Sequence, residues 1–234
     1  RTPRTSKIPA GTLQPVEVVP PISASPDLRA KVDQQLQEIT DAEDHLREGL
    51  IRKLAKSEPA VIEYIADLID RVDEGKRDWI SSTLSVDPSA AASRVLHQKL
   101  QSKHAEIRIA VLRVLSVYGN LVSRPALRGA LQDPDPVVRT TALKAVEKLE
   151  DDDSFDALVT ACGDPDSGVS GRAAVALHAL SKKLDRTDDA VEALNLMVDR
   201  RQGAEKAAIL STLVRFAHKD SALVFIAAVE DDHL

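Results

Sequence analysis

The chain has 234 residues and a net charge of −6, with 43% hydrophobic, 29% charged and only 3% aromatic residues. An acidic balance opposes nucleic-acid binding unless the bases are segregated, because neutralising phosphates drives most of that affinity. The single cysteine, Cys162, excludes an internal disulfide framework and a cysteine-rich zinc site. With few aromatics, Ala, Leu and Val must do the packing, which suits closely approaching helices better than a β-sandwich.

Six of the twelve prolines fall between Pro3 and Pro26 and interrupt any helix there. Residues 1–25 therefore read as a proline-rich extended linker, with a basic start at Arg1, Arg4 and Lys7. The chain begins on Arg1 rather than Met and reads as an excised or processed piece. No apolar run approaches a membrane span and no signal-peptide pattern is present. Cytoplasmic placement is the expectation, with an upstream targeting segment left open.

From Asp27 onward helical periodicity dominates and the sequence repeats itself. Asp133-Pro134-Asp135 recurs 31 residues later as Asp164-Pro165-Asp166. The helix after it aligns too: Val138, Ala142, Ala145 and Val146 map onto Val169, Ala173, Ala176 and Leu177. One step back lie Ile107, Val111, Val114 and Leu115, and one further step reaches Leu84. The preceding helices share a column through Ile65, Leu96, Leu127 and Leu158. Near Lys183–Asp188 the step lengthens to 36, which brings Leu158 to Leu194 and Leu177 to Leu213. A last step of 31 reaches Phe225. Each copy has a first helix of about ten residues, a polar turn whose aspartates cap the next helix, and a second helix with an apolar stripe. Neither stripe can be buried alone, so copies must stack. The spacing predicts an all-α fold, an α-solenoid of antiparallel helix pairs over residues 26–234, with about seven first helices. Glu230-Asp231-Asp232 falls where a turn belongs and no second helix follows, so the last repeat reads as incomplete.

The stretch DPDPVVRTTALKAVEKL at residues 133–149, echoed by DPDSGVSGRAAVALHAL at 164–180, resembles the HEAT repeat, in particular the short bacterial variety also called the phycobilisome-lyase-type HEAT-like repeat. The resemblance covers residues 59–234. It weakens in the outer copies, where Lys76-Arg77 and Glu205-Lys206 replace the Val-Arg pair. It implies an armadillo-like stack whose second helices line a concave face. The family includes scaffolds, transport factors, chromophore-lyase subunits and a few enzymes, so fold analogy narrows function little.

Candidate partner-binding residues are Arg108, Arg113, Arg139, Lys144, Lys206 and Trp79. Arg108 and Arg139 share a column whose later members are Ser170 and Lys206, while Arg113 and Lys144 share the column five positions on. Two readings stand for this ridge: a contact for an acidic protein, or the ladder of loop aspartates and helix arginines that the resemblance implies. A partly exposed Trp79 would anchor a partner, although core packing is the competing reading. The acidic run from Glu147 through Asp153 reads as a solvated loop, or as an attractor of a basic tail or of a loosely held divalent cation.

No histidine pair has metal-helix spacing, and no His-Glu dipeptide, phosphate loop or nucleophile elbow is present. Cys162 sits in an apolar column with Leu100 and Leu131, as a buried small hydrophobe would. The expectation is a non-catalytic protein–protein scaffold with no cofactor. The alternatives are an enzyme subunit resembling a chromophore lyase, and nucleic-acid binding along the ridge. The apolar residues Val224, Phe225, Ala228 and Val229 are expected to pair with a second copy, as a homodimer through the C-terminal helix, or to be covered by residues beyond Leu234.

Overall fold

Ser25 starts the first helix. Its hydroxyl accepts a hydrogen bond from the Leu28 N–H at 3.2 Å, and Pro26 fills a first-turn position that needs no donor. The computed structural model describes residues 24–86, 90–118, 123–198, 200 and 202–216. Within them lie α1 (Pro26–Asp41), α2 (Asp44–Ala55), α3 (Pro59–Leu68), α4 (Glu74–Val86), α5 (Ala90–Lys99), α6 (Ala105–Tyr118), α7 (Ser123–Gly129), α8 (Pro136–Glu147), α9 (Phe155–Ala161), α10 (Ser167–Lys183), α11 (Thr187–Val198) and α12 (Gly203–Phe216). A 3₁₀ turn, Ala130–Gln132, extends the short α7, and another, Asp152–Ser154, leads into α9. There is no strand among the described residues. The expected linker at 1–23 and the incomplete final repeat, with Val224, Phe225, Ala228 and Val229, lie outside them.

The polar turns act as the sequence predicts. Asp135 caps α8, accepting from the Val137 and Val138 N–H groups at 2.8 and 3.2 Å. Asp166 repeats this on Gly168 and Val169 at 2.9 and 3.0 Å. The C-terminus of α10 closes differently. Asp185 adopts φ 55°, and the Arg186 N–H turns back to the Ser181 carbonyl at 2.8 Å. A left-handed backbone strains any side chain with a Cβ, and glycine relieves it. Asp185→Gly is therefore expected to raise stability by roughly 0.5–1 kcal/mol, read as a higher melting temperature.

The helices form two layers. In the second layer α2 packs on α4, α4 on α6, α6 on α8, α8 on α10 and α10 on α12. The first layer runs through α1, α3, α5, α7, α9 and α11, each packed on the second helix of its own pair. The chain is thus an all-α solenoid. The apolar columns read from the sequence are its core. Ile65, Leu96, Leu127, Leu158 and Leu194 are buried from the first layer, and Leu84, Leu115, Val146, Leu177 and Leu213 from the second. Alanines at 142, 145, 173, 174 and 176 let α8 and α10 approach closely. Gly163 does the same in the turn between α9 and α10, where a Cβ would meet the Met197 Cε at 3.2 Å.

Candidate protein-binding face

One arginine position recurs on the second-layer helices: Arg47 on α2, Arg77 on α4, Arg108 on α6 and Arg139 on α8. Each guanidinium ties down its own repeat by donating to a carbonyl before its helix. Arg47 reaches the Ile39 oxygen at 3.1 Å, Arg77 that of Ile69 at 3.2 Å, Arg108 that of Ser102 at 2.8 Å and Arg139 that of Asp133 at 2.9 Å. Two of the four also reach forward. Arg108 donates through Nε and Nη2 to both carboxylate oxygens of Asp133, each at 2.7 Å. Arg139 does the same to Asp164 at 2.7 and 2.8 Å. These forks are shielded: the side chains are 11% and 10% exposed in the first pair, 12% and 8% in the second. The hydrogen bond to the carboxylate outweighs desolvation and holds each arginine pKa above its ordinary value.

Asp133 and Asp164 accept one bond more, from the N–H of Asp135 and Asp166, each at 2.9 Å. The first aspartate of each Asp-Pro-Asp turn is therefore an inter-repeat anchor, and the second is a helix cap. The forward rung exists only where an aspartate lies 25 residues beyond the arginine. The equivalent positions after Arg47 and Arg77 hold Val72 and Ser102, so neither guanidinium meets a forward carboxylate there, and Arg47 instead lies over Trp79 of the next repeat.

The acidic run after α8 is not an open negative surface. Glu147 pairs with Arg172 at 2.7 Å, Glu150 with Lys183, and Asp152 with Arg186. Asp151 meets Arg124 and Arg128 at 3.3 and 3.1 Å. Arg186 also lies over the Phe155 ring, 3.8 Å from its centroid. These cations come from neighbouring repeats, so the run is a second set of inter-repeat clips. A further clip joins α3 to α5, where Lys99 meets Asp67 and Asp70 at 3.1 and 2.8 Å.

The six candidate residues separate into distinct environments. Arg108 and Arg139 are ladder members with forked partners, and little of either reaches the surface. Lys206 is buried. Trp79 is half-buried, packed on the core, and covered by the Arg47 guanidinium 4.7 Å from its ring centroid. Arg113 and Lys144 are exposed, lie in one column on α6 and α8, and form no ion pair among the described residues.

Around those two lies a feature that sequence reasoning missed. Among the described residues, seven large hydrophobic side chains are exposed, and six belong to the second layer, one per helix: Leu46, Val86, Val117, Val137, Val175 and Val214. Only Leu196 on α11 belongs to the first layer. At 3.6 residues per turn, and taking equivalent positions together, Val86, Val117, Val137, Val175, Arg113 and Lys144 fall within roughly 40° of one another around the helix. The outer strip of α4 to α10 thus alternates aliphatic and cationic side chains. The signal was present as valines at positions that the apolar stripe does not need.

A family model described as HEAT repeats matches residues 92–181, the segment that holds both forward rungs. Residues 92–181 are HEAT repeats. No curated protein sequence matches it significantly. Among solved structures it is similar to a crystal structure of an engineered protein from a structural-genomics consortium, at 18% identity and a TM-score of 0.42, covering 80% of this chain and 96% of that one.

Cys162 of this HEAT array is fully buried, and burial pushes its thiol pKa up to about 12 against a lowering hydrogen bond to Thr212. A native thiol held protonated is a poor nucleophile. We expect Cys162 to resist a thiol-reactive dye at neutral pH and to react promptly in denaturant; fast labelling of the native chain would contradict the packing. Among the described residues no three His, Cys, Asp or Glu side chains converge on a metal-sized site, and no helix is long and apolar enough to cross a membrane.

Proposed function

We propose that this HEAT-repeat chain is a non-catalytic scaffold that holds a protein partner along the outer strip of its second-layer helices. HEAT repeats generally serve as protein-interaction scaffolds. The observation that carries the reading here is the placement of exposed aliphatic side chains, one on each second-layer helix, where a solvated face would carry polar ones. The ladder explains Arg108 and Arg139 without a partner; nothing among the described residues explains the exposed valines or the lone cations Arg113 and Lys144.

The test is crosslinked capture from extract of the source organism, followed by mass spectrometry, with native chain, Arg113→Glu/Lys144→Glu and Val137→Asp/Val175→Asp as baits. All substituted side chains are exposed, so the variants should melt with the native chain. A discrete protein captured by the native bait and lost from both variants supports the reading. Capture unchanged in both variants moves the binding surface off the second layer.

A further inference from the structure

We infer that the partner presents an amphipathic helix with carboxylates about seven residues apart beside aliphatic side chains, laid across α6, α8 and α10. This rests on the second-layer reading above and names the chemistry that would fill it.

Charge comes first. Arg113 and Lys144 stand at equivalent positions on adjacent helices, exposed and without an ion-pair partner among the described residues, with Lys148 exposed one turn beyond Lys144. Of the other cations in the array, Arg108, Arg124, Arg128, Arg139, Arg172, Lys183 and Arg186 are paired, while others, among them Arg94, Lys103, Lys182 and Arg215, are exposed with no ion pair among the described residues. Arg94 and Lys103 lie off the second-layer helices, and Lys182 and Arg215 in the last turns of α10 and α12. Two carboxylates share this strip on α6 and α8. Glu106 stands at the first turn of α6, at the position of Val137 and two turns before Arg113, and Glu147 is held by Arg172 at 2.7 Å. A chain of net charge −6 thus leaves Arg113 and Lys144, set among the aliphatic side chains of this strip, without an ion pair among the described residues.

Geometry sets the spacing. Packed helices lie about 8–10 Å apart. Seven residues of a helix span about 10.5 Å and return to the same side. A helix crossing the second layer would set one carboxylate on Arg113, the next on Lys144, and an aliphatic side chain on Val175 of α10. Val117 and Val137 flank the two cations and would take the apolar positions between. Gly171, one turn before Val175, fits the same geometry. It sits mid-helix, where glycine is unfavourable, and a Cβ there would meet nothing within 4 Å. Its bare backbone lets a partner approach α10 more closely than alanine would. A nucleic acid fits less well: Trp79, the only tryptophan, is covered by Arg47, and valines offer nothing to phosphates.

The experiment is fluorescence anisotropy with three labelled synthetic peptides: a helical one with glutamates seven residues apart and leucines between, the same with lysines for the glutamates, and a scramble of the first. A labelled single-stranded oligonucleotide is the fourth probe. The glutamate peptide is expected to bind, more tightly at low salt, and to weaken about tenfold or more with Arg113→Glu/Lys144→Glu, which should now take the lysine peptide. Gly171→Ala should melt higher yet bind the glutamate peptide less well, a pair of effects that a purely structural role does not produce. Equal binding of the glutamate, lysine and scrambled peptides, no binding of any, or preferential binding of the oligonucleotide overturns the inference. If the lysine peptide binds the native chain and is lost from Val137→Asp/Val175→Asp, the acidic partner is wrong while the second-layer scaffold survives.

Discussion

Replacing Asp164 with alanine is expected to lower the unfolding free energy by about 3 kcal/mol, read as a shifted midpoint in urea. The carboxylate accepts two charge-assisted bonds from Arg139 and one from the Asp166 N–H, on a side chain only 8% exposed. Truncation leaves a shielded guanidinium with carbonyl partners alone and frees the turn that presents the α10 cap. Arg139→Ala should cost a similar amount, since it strands Asp164. The double variant is expected to cost at least about 1 kcal/mol less than the sum, because the second truncation removes a charge already orphaned. Strict additivity would mean that the fork does not couple the repeats. Arg139→Lys keeps the charge without the fork and should fall between native and alanine.

Leu115→Ala should cost about 3–4 kcal/mol, as expected for a leucine with no exposed surface in a close-packed interior. Its position makes it informative. Leu213 is equally buried on α12 and is chemically the same loss. In a stacked array each repeat touches only its neighbours, so a defect in α6 loosens the packing on both α4 and α8. Hydrogen exchange read by mass spectrometry should show Leu213→Ala shedding protection mainly in α11 and α12. Leu115→Ala should lower protection through the middle of the array. Equal loss across all helices from Leu213→Ala would mean that the chain unfolds as one block rather than repeat by repeat.

The helix pairs and the core were legible because both follow from spacing. A step of 31 brings Ile65, Leu96 and Leu127 into one column, and all three are buried. The ladder partners were legible from the resemblance, through the aspartates of the turn and the arginine of the helix. Arg47 escaped notice because its step to Arg77 is 30 rather than 31, and because no aspartate follows it. The fate of Glu147–Asp153 was hidden for a different reason. Its partners, Arg124, Arg128, Arg172, Lys183 and Arg186, lie on either side in the chain and are gathered only by stacking. Trp79 was read as core or anchor, and only the structure shows Arg47 closing over it. The outward valines were overlooked because a stripe analysis asks which residues face in.

The two forward rungs share one reach, 25 residues from arginine to aspartate, and that identity acts as a gauge on chain length. A residue inserted into the turn before α8 or before α10 would carry an aspartate away from its arginine. Beyond α10 the gauge is gone: Ser170 replaces the arginine, and there the step between copies grows from 31 to 36. Extra length thus stands where no rung measures it. Among related chains, insertions and deletions should gather at Lys183–Asp188 and before α4, and spare the two Asp-Pro-Asp turns.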